Sequence, residues 1–218
     1  MLKRVILFFV GLLAISLGSV HMIKVSELGV QPFDVLYIGL HQKTSISIGF
    51  ASISIGILLL TVAFILHKQK LKIGTILDVI CLGLFVDLFL YLDFIITPTT
   101  FIWKAFFLIF GAVLISLGAA LTIFSNLGAG PIDTFMLAVH KRFGLSVKVA
   151  TTLIEGGALL AGLLLGGPIG IGTIAVCLLM GPLIEFFLTM LQKGQITFYH
   201  YKSTNPETKK AGFLKETS

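Results

Sequence analysis

Charge is what this chain has least of. Only 12% of its 218 residues are Asp, Glu, Lys or Arg, against 56% hydrophobic, and its mean hydropathy is +1.05. A soluble domain carries about a quarter charged residues, so a water-soluble globule is excluded. Cysteine is scarcer still. Cys81 and Cys177 each stand alone in an apolar run, which excludes a disulfide framework and the paired spacing of a zinc or redox motif. There is no H-E-x-x-H, no G-x-S-x-G, no P-loop and no dinucleotide fingerprint after a strand. The sequence offers no nucleophile with its base, so a non-enzyme is expected, with no catalytic residue, metal or cofactor.

What is there is hydrocarbon. Apolar runs of about 20 residues, enough to cross a bilayer, lie at 5–23, 46–66, 73–92, 101–124, 145–165 and 169–191. They predict an all-α polytopic membrane protein with six transmembrane helices and the lipid bilayer as its first partner. The net charge of +6 gathers at the ends of these runs and in the tail after Gln192, where it reads as an orientation signal. No nucleic-acid partner is expected. The opening "MLKRVILFFVGLLAISLGSV" has the basic start and apolar core of a signal peptide. It takes part in an internal match, however, and is read as a retained helix. The segment 193–218 is polar, basic and without helical periodicity, and reads as a solvated cytoplasmic tail.

The chain matches itself. Gly11, Ile15, Ser16, Leu17 and Gly18 meet Gly111, Ile115, Ser116, Leu117 and Gly118. One residue out of register, Leu28, Gly29, Pro32, Asp34 and His41 meet Leu127, Gly128, Pro131, Asp133 and His140. One further shift sets Gly74, Thr75, Ile76, Gly83 and Asp87 on Gly172, Thr173, Ile174, Gly181 and Glu185. Two repeats of about 85 residues follow, in membrane units 1–95 and 96–192. Each has a long span, a short helix broken from it by Gly and Pro, and two more spans.

The short helices, 32–42 and 131–142, rise only about 18 Å at 1.5 Å per residue, too little for a hydrocarbon core of about 30 Å. If they re-enter on the side they left, the halves are inverted and both termini are cytoplasmic. Only Lys24, Lys43 and Lys104 then face outward. If they cross, the basic run at 67–72 must be translocated, against the positive-inside rule. The inverted six-span form is the expectation.

The doubled LGxxPxD element, "LGVQPFD" at 28–34 and "LGAGPID" at 127–133, resembles the YczE/YyaS/YitT family of bacterial integral membrane proteins, over about residues 5–192. The resemblance implies a bacterial plasma-membrane location and a multi-span helical fold. It implies no particular substrate or reaction. The first copy departs from the second in having Gln31 where Gly130 stands, so close backbone approach is expected at the second.

Acids inside the spans are the candidate site. Asp34, Asp78, Asp87, Asp133, Glu155 and Glu185 fall in apolar stretches, while nearly every Lys and Arg lies outside them. A carboxylate at membrane depth costs at least about 2.5 kcal/mol and needs a partner. Asp34 and Asp133 have two readings: each caps its short helix and complements the dipole, or two half-helix starts, freed by Gly128 and Gly130, together hold a ligand. Asp78 is expected to pair with Lys70 or Lys72. Asp87 and Glu185 either form a symmetric pair or reach the surface.

Glu155 has no inherited counterpart, since Gly56 stands at its place in the first half, and it reads as a proton carrier or cation ligand. His41 and His140 are expected to complement the ends of their short helices. The paired glycines Gly11, Gly18, Gly111 and Gly118 read as helix contacts. Together these features predict a small secondary transporter or carrier of a cationic or proton-coupled solute. The alternative is a non-transporting scaffold or regulatory partner of another membrane protein, and self-association is compatible with either.

Overall fold

The computed structural model describes residues 2–67 and 72–204, without the side chains of 147–148 and 194–204. Lys70 therefore lies outside the described residues. Among those residues there are eight helices and no strand: α1 (Leu2–Ile23), α2 (Pro32–Thr44), α3 (Ile48–Leu66), α4 (Ile73–Leu92), α5 (Phe101–Ser125), α6 (Pro131–Phe143), α7 (Val147–Leu164) and α8 (Ile171–Thr204). Five of them, α1, α3, α4, α5 and the stretch Ile171–Lys193 of α8, are long and apolar enough to cross a membrane. The sixth expected span corresponds to α7, whose apolar part, Val149–Leu164, is shorter. The last helix runs on to Thr204, so the beginning of the expected tail is helical.

Local chemistry sets the breaks. Pro32 and Pro131 open the short helices, where a missing N–H costs nothing and φ is already helical. Each closes with a left-handed residue, Ser45 at φ 59° and Gly144 at φ 69°, as helix C-caps do. The next helix starts at once on a serine cap: Ser47 Oγ accepts from the Phe50 amide and Ser146 Oγ from that of Val149. Each histidine spans the turn between. His41 Nδ1 donates to the Ile46 carbonyl at 2.6 Å and His140 Nδ1 to that of Leu145 at 2.5 Å. A carbonyl only accepts, so the proton sits on Nδ1. These two side chains tie short helix to long helix, a more specific task than complementing a dipole.

α1 and α5 form the central pair and run antiparallel. Gly11 lies on Gly118 and Gly18 on Gly111, so close that a methyl group on Gly18 would stand 2.6 Å from the Gly111 carbonyl oxygen. Small residues give two backbones van der Waals contact along their length, which holds helices together where no hydrophobic effect operates. α4 packs alongside α1, with Ser16 Oγ reaching the Leu82 carbonyl at 3.4 Å and Val20 clustered with Val86. α8 packs on α5 through Leu108, Ala112 and Val176. The short helices cross over, α2 onto α7 and α6 onto α3.

One pairing breaks this regularity. α3 and α4 pack closely, whereas α7 and α8 scarcely touch, and only 6% of the α8 span is buried against 33% of the α4 span.

Candidate functional site

The broken stretches are pinned by the ends of distant helices. Leu28 and Gly29 lie against the start of α8: the Gly172 amide donates to the Leu28 carbonyl at 2.6 Å, and Thr173 Oγ1 accepts from the Val30 amide at 3.2 Å. Gly29 has φ 130° and faces the Thr173 backbone; only glycine takes that conformation without strain. Gly128 packs in the same way on Gly74 and Thr75 at the start of α4. Close backbone approach, expected at the second copy, thus occurs at both. Gly130 touches no backbone so closely. A methyl group there would stand 3.3 Å from Asp78 Oδ2 and 3.7 Å from Asp133 Oδ2, so two carboxylates converge where the chain enters α6.

That convergence bears on Asp78, whose expected partners were Lys70, outside the described residues, and Lys72. Lys72 sends its ammonium to the backbone and side-chain oxygens of Asn126, at 3.3 and 2.9 Å. Asp78, 6% exposed, faces Gly130 and Asp133 of the other half, with no hydrogen-bond partner among the described residues. Sequence proximity pointed to the lysine; packing of α6 against α4 put an acid there instead. Asp34 is equally buried and takes a 3.5 Å bond from Gln31 Nε2. Neither aspartate is the N-cap residue. Gln31 and Gly130 hold those positions without a side-chain cap bond, and the acids sit in the first turns, where they complement the dipole.

Asp133 and Glu155 share a cavity of about 490 Å³ between α7 and α8. Gln31 and Pro32 from the start of α2 also border it, with Thr151 and Thr152 on α7 and Cys177, Met180 and Gly181 on α8. Asp133 is accessible from this space, and Glu155 is half-buried beside it. The beginnings of both short helices thus open on one chamber. Among the described residues no three His, Cys, Asp or Glu side chains stand close enough to hold a metal ion.

Asp87 and Glu185 do not pair with each other. Asp87 Oδ1 accepts from the Gly49 amide at 2.7 Å and Oδ2 from the Ser47 hydroxyl, so α4 caps α3 from outside. Glu185 is exposed on α8. The contrast extends down both helix pairs. Gly49 sits on Gly83, and a methyl group on Gly56 would come within 2.9 Å of Val79. In the matched places, Gly181 meets nothing within 4 Å and Glu155 replaces Gly56. Glutamate is longer than the space Gly56 fills against Val79, and α7 and α8 lack the close contact that α3 and α4 make. The difference between Gly56 and Glu155 was legible in the sequence; the separation of α8 from α7 was not.

Two surface ion pairs, Lys24 with Asp93 and Lys104 with Glu27, tie the loops around α1, α4 and α5 at one end of the helix array.

Comparison with known proteins gives kinship and no activity. A family of unknown function, DUF6198, matches residues 2–189. An uncharacterized protein of Haemophilus influenzae is 33% identical over 87% of this chain and 84% of its own length. The uncharacterized membrane protein YczE of Bacillus subtilis is 31% identical over 83% of each chain, and the uncharacterized protein YyaS of the same organism is 29% identical over 90% and 94%. No solved structure matches. These relatives and the several apolar helices make this a multi-pass membrane protein, consistent with the YczE/YyaS resemblance, and the chain belongs to the DUF6198 family.

Proposed function

We propose that this protein is a small secondary carrier of a cationic or proton-coupled solute in a bacterial inner membrane, with two inverted repeats and re-entrant short helices. The observation that carries the reading is the chamber between α7 and α8, where Asp133 and Glu155 face one space while Asp78, with no partner among the described residues, lies behind Asp133. Uncompensated acids at membrane depth are retained where they bind or relay charge.

The antiparallel α1–α5 contact supports inversion, because matched helices of inverted halves must run in opposite directions. The short helices support re-entry. Each ends at the turn from which the next long helix starts, and each is bordered at its beginning by the middle of the array. The closed α3–α4 pair and open α7–α8 pair supply the two arrangements that alternating access requires. In the opposite state α8 closes on α7 and α4 leaves α3, so the chamber faces the other side. Among the described residues the buried Ser116 hydroxyl has no partner, while its counterpart Ser16 reaches α4.

Reconstitution into proteoliposomes with an imposed pH gradient tests the function. Cation uptake that depends on the gradient and is lost in Glu155→Gln is expected. Absence of uptake across inorganic and organic cations would refute it.

A further inference from the structure

The two short helices begin in unlike surroundings. Asp34 and Asp133 are counterparts, but Val176 stands at the place matched to Asp78, and Gly56 at that matched to Glu155. α2 begins against α8, where Val176 is 2% exposed and packs with Val30 and Val35. α6 begins against α4, where Asp78 takes that place. An acid has thus been added twice, and both times beside Asp133.

Asp78 on α4 and Glu155 on α7 each feel the charge of Asp133. The Asp78 and Asp133 carboxylates converge on Gly130, with oxygens 3.3 and 3.7 Å from the point where a Cβ would stand. Asp133 and Glu155 border the chamber between α7 and α8, whereas Asp78 lines no cavity and is 6% exposed, with no hydrogen-bond partner among the described residues. Asp133 is therefore the middle member of three. In the other half Gln31 fills the place of Gly130 and gives its amide to Asp34 at 3.5 Å. Gly130 brings Asp133 no such donor.

The cations of the surrounding elements stand at helix ends. His140, Lys141 and Arg142 lie in the last turn of α6, about two turns from Asp133. Lys148 lies in the first turn of α7, and Lys3, Arg4 and His21 at the two ends of α1. Lys72 is held by Asn126. α3, packed on both α4 and α6, has no titratable residue from Ile48 to Leu66. The other titratable neighbours are Tyr37, which feels Asp34 and Asp78, Cys81 beside Asp78, and Cys177 beside Glu155.

The three acids stand in series and do not close on one point: among the described residues no three such side chains are near enough to hold a metal ion. A metal ion needs several oxygens at once. A proton needs one at a time.

We propose that Asp78, Asp133 and Glu155 form one proton site, in which a proton taken up by Glu155 from the chamber passes through Asp133 to Asp78. Each transfer moves a proton from a carboxyl O–H to a carboxylate oxygen, directly or through one water, and leaves the donor ionised; no other bond changes. This rests on the carrier reading above and names its coupling ion.

The test needs no solute. Infrared difference spectra of the full chain in nanodiscs follow protonated carboxyl groups against pH, and Asp78→Asn, Asp133→Asn and Glu155→Gln assign the signals. The Asp133 midpoint should move by more than about one pH unit, the threshold of a coupled titration, in Asp78→Asn and in Asp78→Val, which copies the other half; either variant alone gives the reading. Gly130→Gln should move it too, and Asp34→Asn should leave it in place. After a pH jump the Asp78 signal should lag that of Glu155, and should slow at least about tenfold in Asp133→Asn, where the middle station is lost. An Asp133 midpoint unmoved by loss of Asp78, one moved by exchanging sodium for choline, or an Asp78 signal as fast in Asp133→Asn as in the parent overturns the proposal. Cation uptake with independent titrations overturns it and leaves the carrier reading standing. Coupled titration and the lag without any uptake uphold the proton site and refute carriage.

Discussion

The carboxylate of Asp87 on α4 holds the first turn of α3 through the amide of Gly49, 2.7 Å away. Among the described residues no such bond joins the matched pair: Glu185 stands exposed on α8, which scarcely touches α7. An acid that caps a neighbouring helix strengthens one seam of the bundle, and its twin is free to do the same for the other.

Removing the cap should therefore act on one half only. Asp87→Ala is expected to lower stability by about 1–2 kcal/mol, as loss of a helix N-cap does, while Glu185→Ala stays within about 0.5 kcal/mol of the parent, as a surface change does. Thermal unfolding in detergent, with both variants in parallel, checks this. Equal losses would mean that the two acids do equivalent work.

The glycines divide in the same spirit. Gly18→Ala puts a methyl group 2.6 Å from the Gly111 carbonyl oxygen and from Ile115, and should cost about 1–3 kcal/mol through overpacking. Gly156→Ala adds its methyl to open space and should be neutral or stabilising by up to about 1 kcal/mol through helix propensity. Unfolding midpoints of the two variants should fall on opposite sides of, or at least far apart from, the parent value.

The proposed inversion with re-entrant short helices sets which positions share a side. Single cysteines at His67 and Lys141 should react with an impermeant maleimide only from the cytoplasmic face, and cysteines at Glu27 and Asp93 only from the opposite face. His67 and Lys141 on opposite faces would require the short helices to cross.

Much of this was written plainly in the sequence. Gly-Pro breaks announce α2 and α6, since glycine and proline act through local backbone geometry that no packing overrides. Gly11 and Gly18 announce the α1–α5 contact because a glycine face has few other uses in a span. The surroundings of Asp78 could not be read from sequence distance. Lys72 is near in sequence, but Gly130 and Asp133, half the chain away, are near in space. The seams were illegible for a different reason. Alignment of the halves shows what they share, and the opening between α7 and α8 lies in how they differ. Gln31, which bonds Asp34 and lines the chamber, carried no signal because it was seen only as a departure from Gly130.

The proposed carrier must exchange its two seams, and spin-label distances across both measure that exchange without knowledge of the solute. Ile57 on α3 with Ile80 on α4, and their counterparts Gly156 on α7 with Leu178 on α8, are all exposed or in open space and tolerate a label. Each pair should give two distances by pulsed electron resonance. The α7–α8 pair should be short in the fraction where the α3–α4 pair is long, and Glu155→Gln should shift both populations together. One fixed distance for each pair, unmoved by pH or by Glu155→Gln, would contradict alternating access.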